Sequence, residues 1–198
     1  MRVRTAHVVL KGRHRLEYCK FCGDPRYKLI RDLDPQHKKS PYAVLRYLPL
    51  TPRLQRLCDS PTMAQHMTWH SCHQTEEGSM CYPSDVEAWR DFDQLYPDFV
   101  VETCNVRLAL CTDGFAPHGQ FKRTHSYWPV ILTPYNLSPG MCMKSEYMFL
   151  TMVFPRLSNP KFLIDIYLEQ LIEESSYRFA CFLCICFVLG LMKIANFM

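Results

Sequence analysis

Residues 106–136, VRLALCTDGFAPHGQFKRTHSYWPVILTPYN, place an acid where phosphoryl-transfer chemistry would want one. An apolar run over 106–111 delivers Asp113 into a glycine, and a basic, turn-rich loop leads to a second apolar run over 128–132. A carboxylate at the end of a buried strand suits a metal-dependent enzyme, because such an enzyme holds two cations in a dry cleft. The same Asp-Gly pair between apolar runs is also a turn signal. One carboxylate does not fix two Mg2+ ions, which keep several waters and bind sparse ligands weakly. Asp165 is the other candidate, and it reads as a solvated helix acid.

Four further constellations bear on chemistry. Cys19-Lys20-Phe21-Cys22-Gly23 is half of a zinc-knuckle site, in which a tight turn brings two thiolates to one ion. His14, Cys58 and Cys72 are the remaining ligands on offer, and two idle thiols are the alternative. His66, His70 and His73 with Cys72 lie at helix-like spacing, which reads more simply as surface histidines beside a buried Trp69. Lys38, Lys39, Arg46, Arg53 and Arg56, with Tyr42 and Tyr47 interleaved, form the best phosphate-contact set. His118, Lys122, Arg123 and His125 decorate the loop after Asp113, either near a scissile phosphate or on an exposed hairpin tip.

The elements that must carry these residues separate by texture. Residues 1–40 are basic and end in the charged, proline-bearing PQHKKS. Residues 41–104 read helical in pieces, with Leu54 and Leu57 following Pro52 and a Ser84-to-Glu87 capping box opening a helix through Trp89 and Phe92. Three apolar runs, 106–111, 128–137 and 147–154, are separated by turn residues and predict a three-stranded antiparallel meander. Residues 162–174 put Leu163, Ile166, Leu168, Leu171 and Ile172 on one face of an amphipathic helix. The expected fold class is therefore α/β (α+β), with meander plus helix over 105–174 behind a basic, mostly helical or irregular N-terminal region; this matches a partial RNase H-like core, an opening that many α+β folds share.

Composition adds compartment and partner. With 48% hydrophobic residues, 14 prolines and 7 glycines, the 198-residue chain is globular. Residues 1–57 hold 14 Lys/Arg against 4 Asp/Glu, a net +10; residues 58–198 hold 9 against 15, a net −6. A basic front on an acidic body points to an anionic partner, nucleic acid being the usual one. Eleven cysteines without regular spacing, behind a basic and mixed start, point to reduced thiols in cytosol or nucleus.

Taken in order, YCKFCGDPRYK, KKSPYAVLRYLPLTPRLQRL, HMTWH, GSMCYPSDVEAWRDFDQLYPDF, NVRLALCTDGFAPHG, YWPVILTPYNLSPGMCM and IDIYLEQLIEE resemble plant transposases of the CACTA (En/Spm-like) type over about residues 18–174. The resemblance implies an RNase H-like DNA transposase with an Asp-Asp-Glu-type acid set and Mg2+ or Mn2+. Asp113, in Thr112-Asp113-Gly114-Phe115, matches the first acid. The later acids have no counterpart, so the chain is expected to be an inactive fragment that meets transposon-end DNA in the nucleus. The sequence 153–157, VFPRL, departs from the family's usual isoleucine-proline-glycine-proline turn, and Cys58 replaces an aromatic.

Residues 175–198 lose the amphipathic pattern and read as an apolar tail outside the family. Its run over 179–192 is shorter than the roughly 20 residues a spanning helix needs, and extension through 197 would enclose Lys193. Two alternatives stand beside the transposase reading. One is a non-catalytic DNA-binding remnant that uses the basic front, and the other is a small membrane-associated protein anchored through 179–197.

Overall fold

The computed structural model describes residues 17–18, 23, 25–28, 41–42, 44–76, 78–115, 126–156, 164–178 and 182–185. Within them the chain is a mixed α/β fold. In chain order the elements are β1 (Arg46–Tyr47), α1 (Thr51–Cys58), α2 (Pro61–His66), α3 (Trp69–Cys72), α4 (Glu87–Leu95), α5 (Pro97–Val101) and β2 (Arg107–Thr112). There follow β3 (Ser126–Pro134), α6 (Pro139–Cys142), β4 (Phe149–Arg156), α7 (Ile164–Arg178) and β5 (Phe182–Ile185).

The strands form one sheet in the order β1-β4-β3-β2-β5. β2, β3 and β4 are the antiparallel meander that the three apolar runs predict, and α7 follows it, as a partial RNase H-like core requires. β2 pairs with β3 from Leu108↔Pro134 to Thr112↔Val130. Two strands were not foreseen. Residues 46–47, expected in a helical piece, pair antiparallel with β4 through Arg46↔Val153 and Tyr47↔Met152. β5 pairs parallel with β2, from Arg107↔Phe182 to Leu110↔Ile185. A parallel neighbour cannot be reached by a tight turn, so the chain needs a crossover, and α7 supplies it.

The chain divides into two compact units. One comprises 1–47, 113–129 and 152–170, and the other 48–112, 130–151 and 171–198. In the first, the core holds Met152, Phe154, Tyr167 and Leu168, with the Phe154 and Tyr167 rings stacked at 4.3 Å. In the second, it holds Leu54, Met67, Leu108, Leu110, Val130, Leu132 and Leu137, each at most 1% exposed. β2 is buried along nearly its whole length, which is why its sequence runs apolar instead of alternating. On α7, Leu168 and Leu171 are buried as expected and Tyr167 joins them, while Ile172 is exposed; the side chains of Leu163 and Ile166 lie outside the described residues.

Local details also differ from expectation. Pro52 does open α1, but the N-terminus is capped from afar: Leu50 N–H and Thr51 N–H donate to the Glu174 carboxylate at 3.1 and 2.7 Å. The 84–87 capping box does not form. Asp85 instead closes a 3-10 turn over Pro83–Asp85, accepting the Cys81 and Tyr82 N–H groups at 2.9 Å each, and α4 begins at Glu87.

Candidate functional site

Asp113 leaves β2 immediately after Thr112 and is exposed. Two residues on, Phe115 and Tyr127 exchange both backbone hydrogen bonds, at 3.0 and 2.9 Å. Counting inward from that pair sets Gly114 opposite Trp128 and Asp113 opposite Pro129. The Asp-Gly pair therefore runs alongside β3 in register and is not the hairpin's turn. Asp113 falls at a hydrogen-bonded position of the ladder, where Pro129 has no N–H to return. Gly114 falls at the intervening position, where the two strands bring side chains closest. The Trp128 ring fills that space: a Cβ on Gly114 would lie 2.5 Å from its Cζ2 and 2.6 Å from its Cε2. Glycine is required here for close approach, and its φ is not in the left-handed region. Asp113 Oδ1 accepts the Gly114 N–H at 2.7 Å, while Trp128 Nε1 is buried with no partner among the described residues.

This geometry sets what Asp113 can hold. Among the described residues, no group of three or more His, Cys, Asp or Glu is arranged to bind a metal ion. The described residues do not fit a two-cation site, since one exposed carboxylate supplies too few oxygens for hard divalent ions. Asp165 lies on α7 with its side chain outside the described residues. Cys19, Cys22, Lys38, Lys39, His14, His118, Lys122, Arg123 and His125 lie outside them too.

The basic set separates into different jobs. Arg46 on β1 and Arg56 on α1 are exposed. Arg53 is engaged by the fold: its Nε donates to Pro49 O at 2.9 Å, Nη1 to Leu150 O at 2.8 Å and Nη2 to Leu48 O at 2.8 Å. Its guanidinium also lies 5.5 Å from the Phe149 ring centroid. Three carbonyls gathered on one guanidinium make Arg53 a backbone clamp, in the fork geometry that lysine lacks.

The histidines do not share one helix, because the chain breaks between α2 and α3 around the buried Met67. His66 is exposed. His73 stacks on Trp69 at 4.2 Å, and its Nε2 lies 2.7 Å from Thr75 Oγ1, which donates to Asp85 Oδ1 at 2.8 Å. Trp69 is half-buried, not buried as expected. The Thr75 bond, followed by the two backbone N–H groups, holds the Asp85 carboxyl below the usual carboxylate range. Burial first, and then the Arg107 guanidinium, lower His70 from 6.5 to about 4.

Arg107 is the residue that sequence reasoning missed. It opens β2 at 4% exposure, with its guanidinium carbon 4.1 Å over Trp89 and 5.6 Å from both Phe92 and Phe99. Nη2 donates to Asp93 Oδ1, and the backbone N–H donates to Asn136 Oδ1 at 2.7 Å. Burial pulls the guanidinium's pKa down, and Asp93 opposes it. The available signal was a lone cation inside an otherwise apolar run. A cavity of about 330 Å³ beside it is lined by His70, His73, Asp85, Trp89, Arg90 and Asp93, among others. Of the acids there, Asp85 accepts from Thr75 and backbone N–H groups, Asp93 from Arg107, and the exposed Glu102 from the Cys104 N–H at 3.1 Å, so each is already engaged by the fold.

Among the described residues no helix is long and apolar enough to cross a membrane. Of the 179–197 segment read as an anchor, Phe182–Ile185 are the strand β5; the rest lies outside the described residues.

The family model described as Transposase family tnp2 matches residues 77–180, just over half of the chain. The matched span contains both ends of β2 and runs past Glu174, where the resemblance read from the residues stops. No curated protein and no solved structure matches the chain.

Proposed function

The chain belongs to the tnp2 transposase family, and from that premise we propose that it carries part of the machinery of DNA strand transfer, with Asp113 as its first acid, and does not complete the reaction alone. The observation that carries this reading is the family match over 77–180 with Asp113 inside it, at the mouth of the first strand of the meander. The inactivity rests on the carboxylate count. Among the described residues no second and third ligand join Asp113, and a lone exposed carboxylate cannot hold the two cations that in-line displacement at phosphorus uses. The test is divalent-dependent nicking of element-end DNA by the purified chain. No nicking above background is expected; robust nicking that Asp113→Ala abolishes would overturn the inactivity.

The charge asymmetry supports a second reading, retention of DNA in the nucleus by the basic front. Lys38, Lys39, Arg46 and Arg56 are its phosphate contacts, with Arg53 acting as a clamp that shapes α1. Such binding is sequence-independent and weakens linearly in log affinity against log salt. Cys19 and Cys22 would contribute half of a zinc site to the same front, which elemental analysis of the purified protein tests. Binding to DNA that ignores salt, or that survives charge reversal at Lys38 and Lys39, would remove this second reading.

A further inference from the structure

We propose that Trp128 is the positioning residue of Asp113, acting through Gly114; the proposal rests on Asp113 being the family's acid. Three observations converge on it. Pro129 stands opposite Asp113 and denies it a ladder hydrogen bond, so the backbone at the acid is held by less than a full pair of strand contacts. The next residue is a glycine, whose backbone is the most permissive of any residue. Left to themselves, Pro129 and Gly114 would make the strand loosest at the acid. The Trp128 ring covers the Gly114 backbone so closely that even one methyl would strike it at 2.5 Å. A cross-strand aromatic on a glycine replaces the missing side chain and restores order to a strand that glycine weakens.

The carboxylate is then fixed in two steps. The indole pins the Gly114 backbone, and the Gly114 N–H holds Asp113 Oδ1 at 2.7 Å. Asp113 itself stays exposed, so its carboxylate is presented outward from a rigid peptide and not sealed by its neighbours. Trp128 Nε1 makes no bond among the described residues, which makes the ring's flat packing the part of Trp128 that matters here. The atoms that meet Gly114, Cζ2, Cε2 and Cη2, lie on the far edge of the indole, beyond the reach of a phenylalanine ring, so phenylalanine should hold Gly114 less well than tryptophan and better than alanine.

The test is backbone NMR relaxation of the full chain, comparing Gly114 with Leu110 and Leu132, which lie on the buried part of the same two strands. In the native chain the Gly114 amide is expected at an order parameter of about 0.85, falling below about 0.6 in Trp128→Ala and Gly114→Ala while Leu110 and Leu132 stay rigid. Trp128→Phe, which lacks the contacting far edge of the indole, should fall between the native and alanine values. A merely structural role would loosen all three amides together. An unchanged Gly114 in Trp128→Ala, or a Gly114 that keeps the native value in both Trp128→Phe and Gly114→Ala, overturns the proposal. Should Trp128→Ala fail to fold, Trp128→Phe and Gly114→Ala decide it alone. The nicking assay reports on the acid's chemistry separately, so failure there and failure here are distinguishable.

Discussion

β2 begins on a buried cation and gives way to an exposed acid, and the fold holds the two charges by opposite means. Arg107 is surrounded by its own partners: Asp93 takes its Nη2, three aromatic rings face its guanidinium, and Asn136 takes its backbone N–H. Among the described residues, the Asp113 side chain has one bond, to the next residue, and is otherwise exposed. A charge that satisfies itself internally serves the fold. A charge that is oriented yet left short of ligands is the one available to something outside the chain. By that criterion Asp113 is the functional end of the strand and Arg107 the structural one, although Arg107 has the more elaborate surroundings.

The largest effect expected from this contrast is at the interior end. Removing the acid from a buried pair strands the remaining charge, and Arg107 has a side chain only 5% exposed against 33% for Asp93. Asp93→Ala should therefore cost about 3 kcal/mol, whereas Arg107→Met, which leaves an acid that water can reach, should cost about 1 kcal/mol. Urea unfolding of both variants checks the order. If the methionine variant were the less stable, the cation would be contributing through its aromatic contacts and not as half of a charge pair.

Asn136 sharpens the same point one step out. It is fully buried, and it joins two backbone groups that the sheet leaves unpaired, accepting from Arg107 N and donating to Asn105 O at 2.9 Å. Asn136→Ala leaves a donor and an acceptor buried without partners, an expected loss of about 2 kcal/mol. A loss below about 0.5 kcal/mol in the same unfolding measurement would mean that water replaces the amide, and that the strand's beginning is more open than its exposure indicates.

The pH response at the interior end should be smaller and has a definite direction. His70 binds its proton less readily in the folded chain, at about 4 against 6.5, because it is buried and faces Arg107. Its contribution is whole above 6.5 and is lost as the pH falls from there through about 4. Asp85, held below its ordinary 3.8 chiefly by Thr75, adds a loss at still lower pH. His70→Gln should flatten the stability curve between pH 6.5 and 4 and leave the more acidic limb in place. A slope there that survives the substitution would assign it to other groups.

How much of this was legible in the sequence follows from periodicity. The meander and α7 were readable because apolar runs of strand length, then a 3.6-residue pattern, report burial directly. β1 was not, because two residues carry no period, and their strand state comes from pairing with β4. β5 was hidden for another reason: an apolar run in a tail looks the same whether it enters a membrane or a sheet. At the site, Asp113 was found by its place after an apolar run. The Trp128–Gly114 contact was invisible, because it depends on the register across β3, and a one-residue slip would have moved the ring to the other face. Arg107 stood in plain view, but the apolar run around it masked the one cation inside.

The smallest expected effect is at the open end, and it tests the contrast most directly. Asp113→Ala removes an exposed side chain whose bond is to the adjacent amide. An amide that water can reach exchanges such a bond at little cost, so stability should change by less than about 0.5 kcal/mol in urea. That near-neutrality is what allows Asp113→Ala to serve as the control in the nicking assay, since any activity it abolished would not be attributable to unfolding. A loss above about 2 kcal/mol would place the carboxylate among the groups the fold depends on. The acid would then belong with Arg107, and the case for its outward role would rest on the family match alone.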